Sequence, residues 1–190
     1  MTTDLGRPRD PRIDSAVLES TVELLGETGY AALSVDAIAR RAGTSKPAIY
    51  RRWPSKAHLV HEAVFPINSG TELPDTGSLA DDVREMVRRT VAVLTTPAAR
   101  AALPGLVGEM AADLTLHAAL LERFGGILSR DMTARLDNAM ARNEIRPDVT
   151  AAEVTEALAG ITFLALLTRG ALDDTWVERT ANLILRGISA

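Results

Sequence analysis

The sequence predicts an all-α protein in which a small N-terminal helical unit precedes a larger helical bundle. Apolar residues recur at three- and four-residue spacing in successive segments, which is the period of an amphipathic helix. No stretch shows the sustained two-residue alternation of a half-buried strand. The run NSGTELPDTGS at 68–78 is rich in turn formers, so we expect one domain at 1–66 and a second at 78–190.

The N-terminal unit is predicted from residues that start and stop helices. Asp10 and Pro11 provide an N-cap and a first-turn proline for a helix that runs to Gly29. Ser34 and Ser55 are placed to cap two further helices. Between those two serines a short additional helix fits, so the unit is a three-helix arrangement followed by a connecting helix.

Two short helices joined by a tight turn are predicted for Val35–Trp53, VDAIARRAGTSKPAIYRRW. Gly43 tolerates the left-handed conformation that ends a helix, and Ser45 can cap the next one. Pro47 falls in the first turn of that second helix, where its missing N–H costs little. Ile49 is expected to pack inward with the aromatic residue four positions on, which leaves polar and cationic side chains on the outer face.

This helix-turn-helix resembles the DNA-binding motif of TetR-family transcriptional regulators. The resemblance rests on residues 44–56, TSKPAIYRRWPSK, followed by Leu59, and it extends over about residues 13–65. It implies that the second helix of the motif enters the major groove of double-stranded DNA. The residues expected to contact DNA are Ser34, Val35, Thr44, Ser45, Lys46, Pro47, Ala48, Tyr50, Arg51, Arg52 and Lys56.

The charge distribution is compatible with a DNA-binding end. The net charge is −4, yet residues 1–56 carry nine Lys and Arg against seven Asp and Glu. Six of those cations and no acid lie within residues 37–56. A local basic patch of this kind can meet phosphates while the acidic remainder faces solvent, although charge runs are also common on plain solvated surface.

Composition limits the other classes of function. The chain has 190 residues, 46% of them hydrophobic, which is enough for a packed core. It contains no cysteine, which excludes a disulfide framework and a thiolate metal site. We find neither an apolar run of about 20 residues nor a signal peptide, so we expect a cytoplasmic protein.

Five helices are predicted after the turn-rich boundary. Their approximate ranges are 79–95, 98–113, 116–143, 151–168 and 173–188. Pro104 lies inside the second of them and is expected to kink or break it, because an interior proline removes a backbone hydrogen bond and clashes with the preceding turn.

The resemblance implies a small-molecule pocket among these helices, and the low aromatic content suggests an aliphatic, Met-containing lining. The same side chains would equally serve as an ordinary bundle core. The candidate pocket residues are Val91, Leu106, Met110, Phe124, Leu128 and Met132, with Glu109 and Arg123 as polar groups that could orient a ligand.

The last two helices are apolar on more than one face, so part of their surface needs a partner. Their own domain could supply it, but a two-fold homodimer is the favoured interpretation, as in the family's four-helix dimer bundle. The predicted seam consists of Ala157, Gly160, Ile161, Leu164, Trp176 and Leu183.

Catalysis is not indicated. His58, His61 and Glu62 share one helical turn and could in principle hold a metal, but no further ligand set or catalytic motif accompanies them. We therefore expect no enzyme activity, no metal and no cofactor.

The favoured function is a transcriptional regulator, most often a repressor, that binds a palindromic operator as a dimer and is released by a small apolar effector. The helix that begins after Ser55 is expected to be the only continuous rigid link between the two domains. The alternative is a helical interaction protein that keeps the fold without ligand-controlled DNA binding. Selection of a palindromic site, with an affinity that falls steeply with salt, distinguishes the two.

Overall fold

A computed structural model describes residues 11–66, 76–169 and 171–190; the side chains of residues 121 and 123–131 lie outside the description. The described residues form α-helices and one isolated β-bridge, between Ile145 and Ser189, which confirms the all-α class. The helices are α1 (Pro11–Ala32), α2 (Val35–Arg41), α3 (Lys46–Tyr50), α4 (Lys56–Val64), α5 (Leu79–Leu94), α6 (Pro97–Ala112), α7 (Leu114–Ala141), α8 (Ala151–Thr168) and α9 (Asp174–Ile188).

The chain divides into two compact units. The first contains α1 to α4 together with Ala101–Ala112 of α6, and the second contains α5, α7, α8 and α9 together with the start of α6. The assignment of Ala101–Ala112 differs from the sequence-based boundary, which placed these residues in the second domain. They join the first unit because Gly105 lets the α6 backbone lie against the ring of Tyr30 of α1.

In the first unit, α1 packs against α2 and α4, and α2 packs against α3. Leu25, Ile38, Ile49 and Leu59 are at most 1% exposed and give these helices a common core. At Gly29 the backbone leaves helical geometry, with a φ of 73°, which is where the sequence predicted the first helix to stop.

In the second unit, α5 contacts α7, α8 and α9 around an aliphatic core. An ion pair is buried beside that core. Asp82 is 3% exposed; its carboxylate accepts hydrogen bonds from the backbone N–H and the hydroxyl of Thr76 and lies 3.4 Å from Nε of Arg135. These partners satisfy a charge that would otherwise be costly to bury.

The expected break at Pro104 does not form, because α6 runs through it as one helix. Pro104 and Arg100, whose carbonyl loses its usual donor, are both exposed, so water can reach the carbonyl. A continuous α6 begins in the second unit and ends in the first. The prediction that α4 is the only continuous link between the units is therefore wrong.

Candidate nucleic-acid interface

The turn between α2 and α3 is fixed by backbone geometry. Gly43 has a φ of +65°, a conformation that side chains with a Cβ rarely adopt. The N–H of Thr44 donates to the carbonyl of Ala39 at 2.9 Å, closing the end of α2 in a Schellman-type arrangement. The direction in which α3 leaves the turn is thus set by local structure.

The short helix α3 is held at both ends and along its buried face. At its start, the Ser45 hydroxyl accepts a hydrogen bond from the backbone N–H of Ala48 at 3.3 Å, and Pro47 occupies the first turn. Ile49 and Trp53 are 1% and 4% exposed and fasten the helix to the core, as predicted from their spacing. A helix of five residues has little stability of its own, so its position depends on these contacts.

The outer side of α3 is exposed and carries most of the predicted DNA contacts. Lys46, Pro47, Tyr50 and Arg51 are exposed, with Tyr50 at 42%, and Ala48 is half-buried. A tyrosine exposed between cations is unusual on a surface that contacts only water. The same set of side chains is well suited to bind DNA, which presents both phosphates and polar base edges. These residues therefore form the candidate interface.

Lys46 is paired with an acid within the motif. Its Nζ lies 2.8 Å from Oδ2 of Asp36, in the first turn of α2, and this hydrogen bond raises the pKa of Lys46. Asp36 was missed as a functional candidate because acidic residues are not expected beside DNA. The signal that could have found it is its position in the first turn of α2, two residues after the N-cap Ser34, within the helix-turn-helix itself.

Two of the predicted contacts lie elsewhere. Val35 is 5% exposed, so its side chain belongs to the core of the first unit and is not available to DNA. Arg52 turns toward α1, where its Nε pairs with the Asp14 carboxylate, and its side chain is only 17% exposed. It lies beyond the end of α3, where the chain turns back toward the core at Trp53.

Lys56, at the start of α4, contacts the end of α1. Its Nζ donates to the Tyr30 carbonyl at 3.2 Å and lies 4.1 Å from the centroid of the Tyr30 ring. An ammonium group has three donors, so Lys56 retains some for a phosphate. A Cβ at Gly105 would overlap Cδ1 of the same ring. Tyr30 therefore lies between a candidate phosphate contact and α6.

The hydroxyl of Tyr30 is buried without a well-formed hydrogen bond. Burial raises the pKa of Tyr30, and the nearby Glu109 carboxylate of α6 adds to the effect. The phenol therefore stays neutral and contributes its ring rather than a charge.

The predicted pocket residues are divided between the two units and the undescribed side chains. Val91 and Met132 lie in the core of the second unit, whereas Leu106, Glu109 and Met110 belong to the first. The other three candidates, Arg123, Phe124 and Leu128, lie outside the described side chains. The pocket remains a prediction.

The predicted seam residues are mostly exposed on α8 and α9. Leu164 and Leu183 are each 62% exposed, Ala157 and Gly160 are exposed, and Ile161 is half-buried. The prediction that Trp176 belongs to the seam is wrong. Trp176 is 6% exposed and packs in the core of its own unit, because it lies on the same helical face as the buried residues Thr180, Ile184 and Ile188.

The histidines of α4 serve as packing and capping groups. His61 is 7% exposed, with its ring centroid 5.4 Å from that of Phe65. Nδ1 of His58 lies 2.9 Å from the hydroxyl of Ser55, the N-cap of α4. Among the described residues, no group of three His, Cys, Asp or Glu side chains is placed to hold a metal ion.

Two family profiles match most of the chain. Residues 17–63 match the profile described as bacterial regulatory proteins, tetR family, and residues 73–184 match the tetracyclin repressor-like, C-terminal domain. The crystal structure of the TetR family transcription regulator SCO0332 is also similar. It is 30% identical with a TM-score of 0.71, and the match covers 94% of this chain and all of that one.

Two curated relatives are similar over 90% or more of their length. The uncharacterized HTH-type transcriptional regulator YdeS of Bacillus subtilis is 27% identical, over 100% of this chain and 96% of its own. The DNA-binding transcriptional repressor TetR of Mycobacteroides abscessus is 29% identical, over 90% of each chain. Both similarities extend beyond the helix-turn-helix into the second unit.

Proposed function

Since this chain belongs to the TetR family of bacterial transcriptional regulators, we propose that it represses transcription by binding a palindromic operator as a homodimer and releases that operator when a small apolar effector binds. It is a helix-turn-helix regulator of transcription. The observation that carries the proposal is the recognition helix α3, which is capped by Ser45, fastened by Ile49 and Trp53, and exposes Lys46 and Tyr50.

The ends of this helix have different roles in the proposal. Thr44, Lys46, Pro47 and Ala48 lie at its N-terminal end, the part of the motif that contacts base edges, whereas Tyr50, Arg51 and Lys56 contact phosphates. Changing a phosphate contact weakens binding to all sequences equally, whereas changing a base contact alters sequence preference. The two classes can therefore be separated by experiment.

The experiment is selection of bound duplexes from genomic and random DNA by the wild type, Lys46→Ala and Lys56→Ala. We expect the wild type to enrich a palindrome, Lys46→Ala to enrich a different or degenerate one, and Lys56→Ala to retain the wild-type site. For Lys56→Ala, the log–log salt dependence should be shallower by about one unit, since one fewer counterion is released. No enriched sequence for the wild type, with an affinity insensitive to salt, would instead support the interaction-protein alternative.

Dimerisation through α8 and α9 is supported by what these helices leave exposed. Leu164, Leu167 and Leu183 are 62%, 58% and 62% exposed, which is unusual for adjacent helices in a domain that already has a core. A side chain at Gly160 would meet no atom within 4 Å, so a second helix could approach there. A groove of about 370 Å³ lies alongside, lined in part by Ala157, Ile161 and Leu183.

The proposed dimer accounts for the apolar composition of α8, so membrane insertion is not needed to explain it. By length and apolarity alone Ala151–Thr168 would be long enough to cross a bilayer. One side of it, including Leu158 and Ala165, packs in the core of its own unit, and the other side carries the exposed leucines. A core helix with one partner face has this composition. We place the protein in the cytoplasm, with its DNA target.

We propose that the effector acts through α6 as well as α4. The C-terminal part of α6 packs within the first unit at Gly105 and Tyr30, and Tyr30 in turn holds Lys56. A shift of α6 would therefore change a phosphate contact and the spacing of the two recognition helices, which must fit major-groove faces about 34 Å apart.

Such coupling is reciprocal, so operator DNA must weaken effector binding by the same factor as effector weakens operator binding. Once an effector has been found, calorimetric titration with and without operator measures this factor. Equal effector affinity in the two titrations would contradict ligand-controlled release and leave a repressor regulated by its own abundance.

A further inference from the structure

An acidic residue lies beside the DNA-facing end of the recognition helix. Asp36 is in the first turn of α2 and Lys46 is the first residue of α3, and their Oδ2 and Nζ atoms lie 2.8 Å apart. The Lys46 and Asp36 side chains are 46% and 56% exposed, so both reach solvent at this end of the motif. The pair therefore presents a donor and an acceptor side by side.

Folding stability does not account for this pair. An exposed ion pair contributes little to stability, and the helix ends that Asp36 and Lys46 flank are already capped by Ser34 and Ser45. The other paired cations of the motif differ in their partners. Arg41 is paired with Glu27, an acid of α1, whereas Lys46 is paired with an acid of the helix-turn-helix itself.

The two groups are complementary to a particular base pair. Lys46 uses one donor on Oδ2 of Asp36 and has two others, and Asp36 has a second oxygen that can accept. In the major groove guanine offers the O6 and N7 acceptors that Lys prefers, and cytosine offers the N4 donor that Asp prefers. An A·T pair also has a donor in the major groove, but its order is reversed: adenine presents the N6 donor where guanine has O6, and thymine presents the O4 acceptor where cytosine has N4. In the same register Lys46 would face a donor and the Asp36 carboxylate an acceptor, and both contacts are repulsive.

We propose that Asp36 is a specificity-determining residue that, together with Lys46, selects a G·C base pair in each operator half-site and weakens binding to DNA without it. The inference rests on the proposed function, because it concerns how the same recognition helix reads its site. In this proposal an acidic residue within a basic interface contributes to specificity, because it weakens binding to non-cognate DNA.

The test compares duplex selection by the wild type with selection by Asp36→Asn, Asp36→Ala and Glu27→Gln. Glu27→Gln is the matched control, since it also removes one exposed carboxylate paired with a cation of α2. For both Asp36 variants we expect the G·C preference to disappear at one position of each half-site. Their ratio of specific to non-specific affinity should fall about tenfold. Glu27→Gln should keep the wild-type profile.

The base-pair position at which the Asp36 variants lose their preference must also be the position at which Lys46→Ala loses it. If both Asp36 variants enrich the wild-type sequence, or if the altered position is an A·T pair in the wild-type site, the inference is wrong while the proposed function stands. If Glu27→Gln loses the same preference, the effect is one of net charge, and the assignment to Asp36 is also wrong. If the wild type enriches no sequence, the proposed function fails and this inference fails with it.

Discussion

In the first unit the ion pairs Lys46–Asp36 and Arg41–Glu27 are exposed and most large apolar side chains lie inside, whereas in the second unit the ion pair Asp82–Arg135 is buried and leucines of α8 and α9 are exposed. Lys46 and Asp36 are about half-exposed, but Asp82 is 3% exposed beside Arg135. Leu164 on α8 is 62% exposed. Exposed cations suit a polyanionic partner and exposed leucines suit a protein partner, so the contrast supports the DNA surface proposed for the first unit and the dimer seam proposed for the second.

The largest expected effect concerns the buried pair. Asp82→Ala removes the buried carboxylate beside the guanidinium of Arg135, and breaking a buried ion pair in this way typically costs about 3–5 kcal/mol of folding free energy. Urea unfolding followed by circular dichroism measures the loss. Glu27→Gln, which breaks the exposed pair with Arg41, should not change stability measurably. Similar losses for both variants would contradict the contrast between the units.

The next effect concerns the exposed leucines. Leu164→Asp places a charge in the proposed seam, where burial without a partner costs several kcal/mol, so the dimer should dissociate at least about 100-fold more readily. Sedimentation velocity measures the oligomeric state. Because Leu164 is 62% exposed in its own unit, the monomer should remain folded.

Leu114→Asp is the control, because Leu114 is 78% exposed at the start of α7, outside the proposed seam. That variant should remain a dimer. A dimeric Leu164→Asp protein beside a monomeric Leu114→Asp protein would move the seam to another surface.

A smaller effect compares two glycines of α6. Gly105→Ala would overlap the ring of Tyr30 and should destabilise the first unit by about 1–3 kcal/mol, the usual cost of overpacking. Gly108→Ala meets no atom within 4 Å and should stabilise α6 by up to about 1 kcal/mol, since alanine has the higher helix propensity. Thermal unfolding of the two variants measures these opposite shifts in stability. Equal shifts would show that α6 does not lie against Tyr30.

The smallest effect is a pH dependence in the second unit. Glu153 accepts hydrogen bonds from the hydroxyl and backbone N–H of Thr150 in a capping box, and these bonds lower the pKa of Glu153. A lowered folded pKa stabilises the protein above the ordinary value near 4.5 and ceases to do so as the pH falls through the folded pKa. Glu153→Gln should therefore be slightly less stable than the wild type at neutral pH, and the difference should disappear in acid.

The sequence predicted the features that depend on neighbouring residues. Gly43 and Ser45 specify the turn and the start of α3 through local backbone geometry, so the helix-turn-helix could be read from one segment. In the second unit the ranges 151–168 and 173–188, predicted from periodicity, agree with α8 and α9, which Thr150 and Asp173 cap. Propensities and caps act within a few residues, which is why these predictions succeeded.

Features that depend on distant residues could not be predicted in this way. The pairing of Arg52 with Asp14 spans 38 positions, and the close approach of Gly105 to Tyr30 requires α6 to pack in the first unit. Periodicity shows that Trp176 lies on an apolar face, but not whether that face meets its own core or a partner. In each case the missing information is which surfaces of different helices meet.

We propose that two recognition helices, held in one dimer, read two half-sites at a fixed separation. The most direct measurement is the affinity of the wild type for its selected palindrome and for the same palindrome with five base pairs inserted at its centre. About 10 base pairs make one turn, so the insertion moves one half-site to the opposite side of the duplex. We predict that affinity falls to that for unrelated DNA, about 100-fold or more. Unchanged affinity would contradict this proposal, because each helix would then be reading DNA independently of the other.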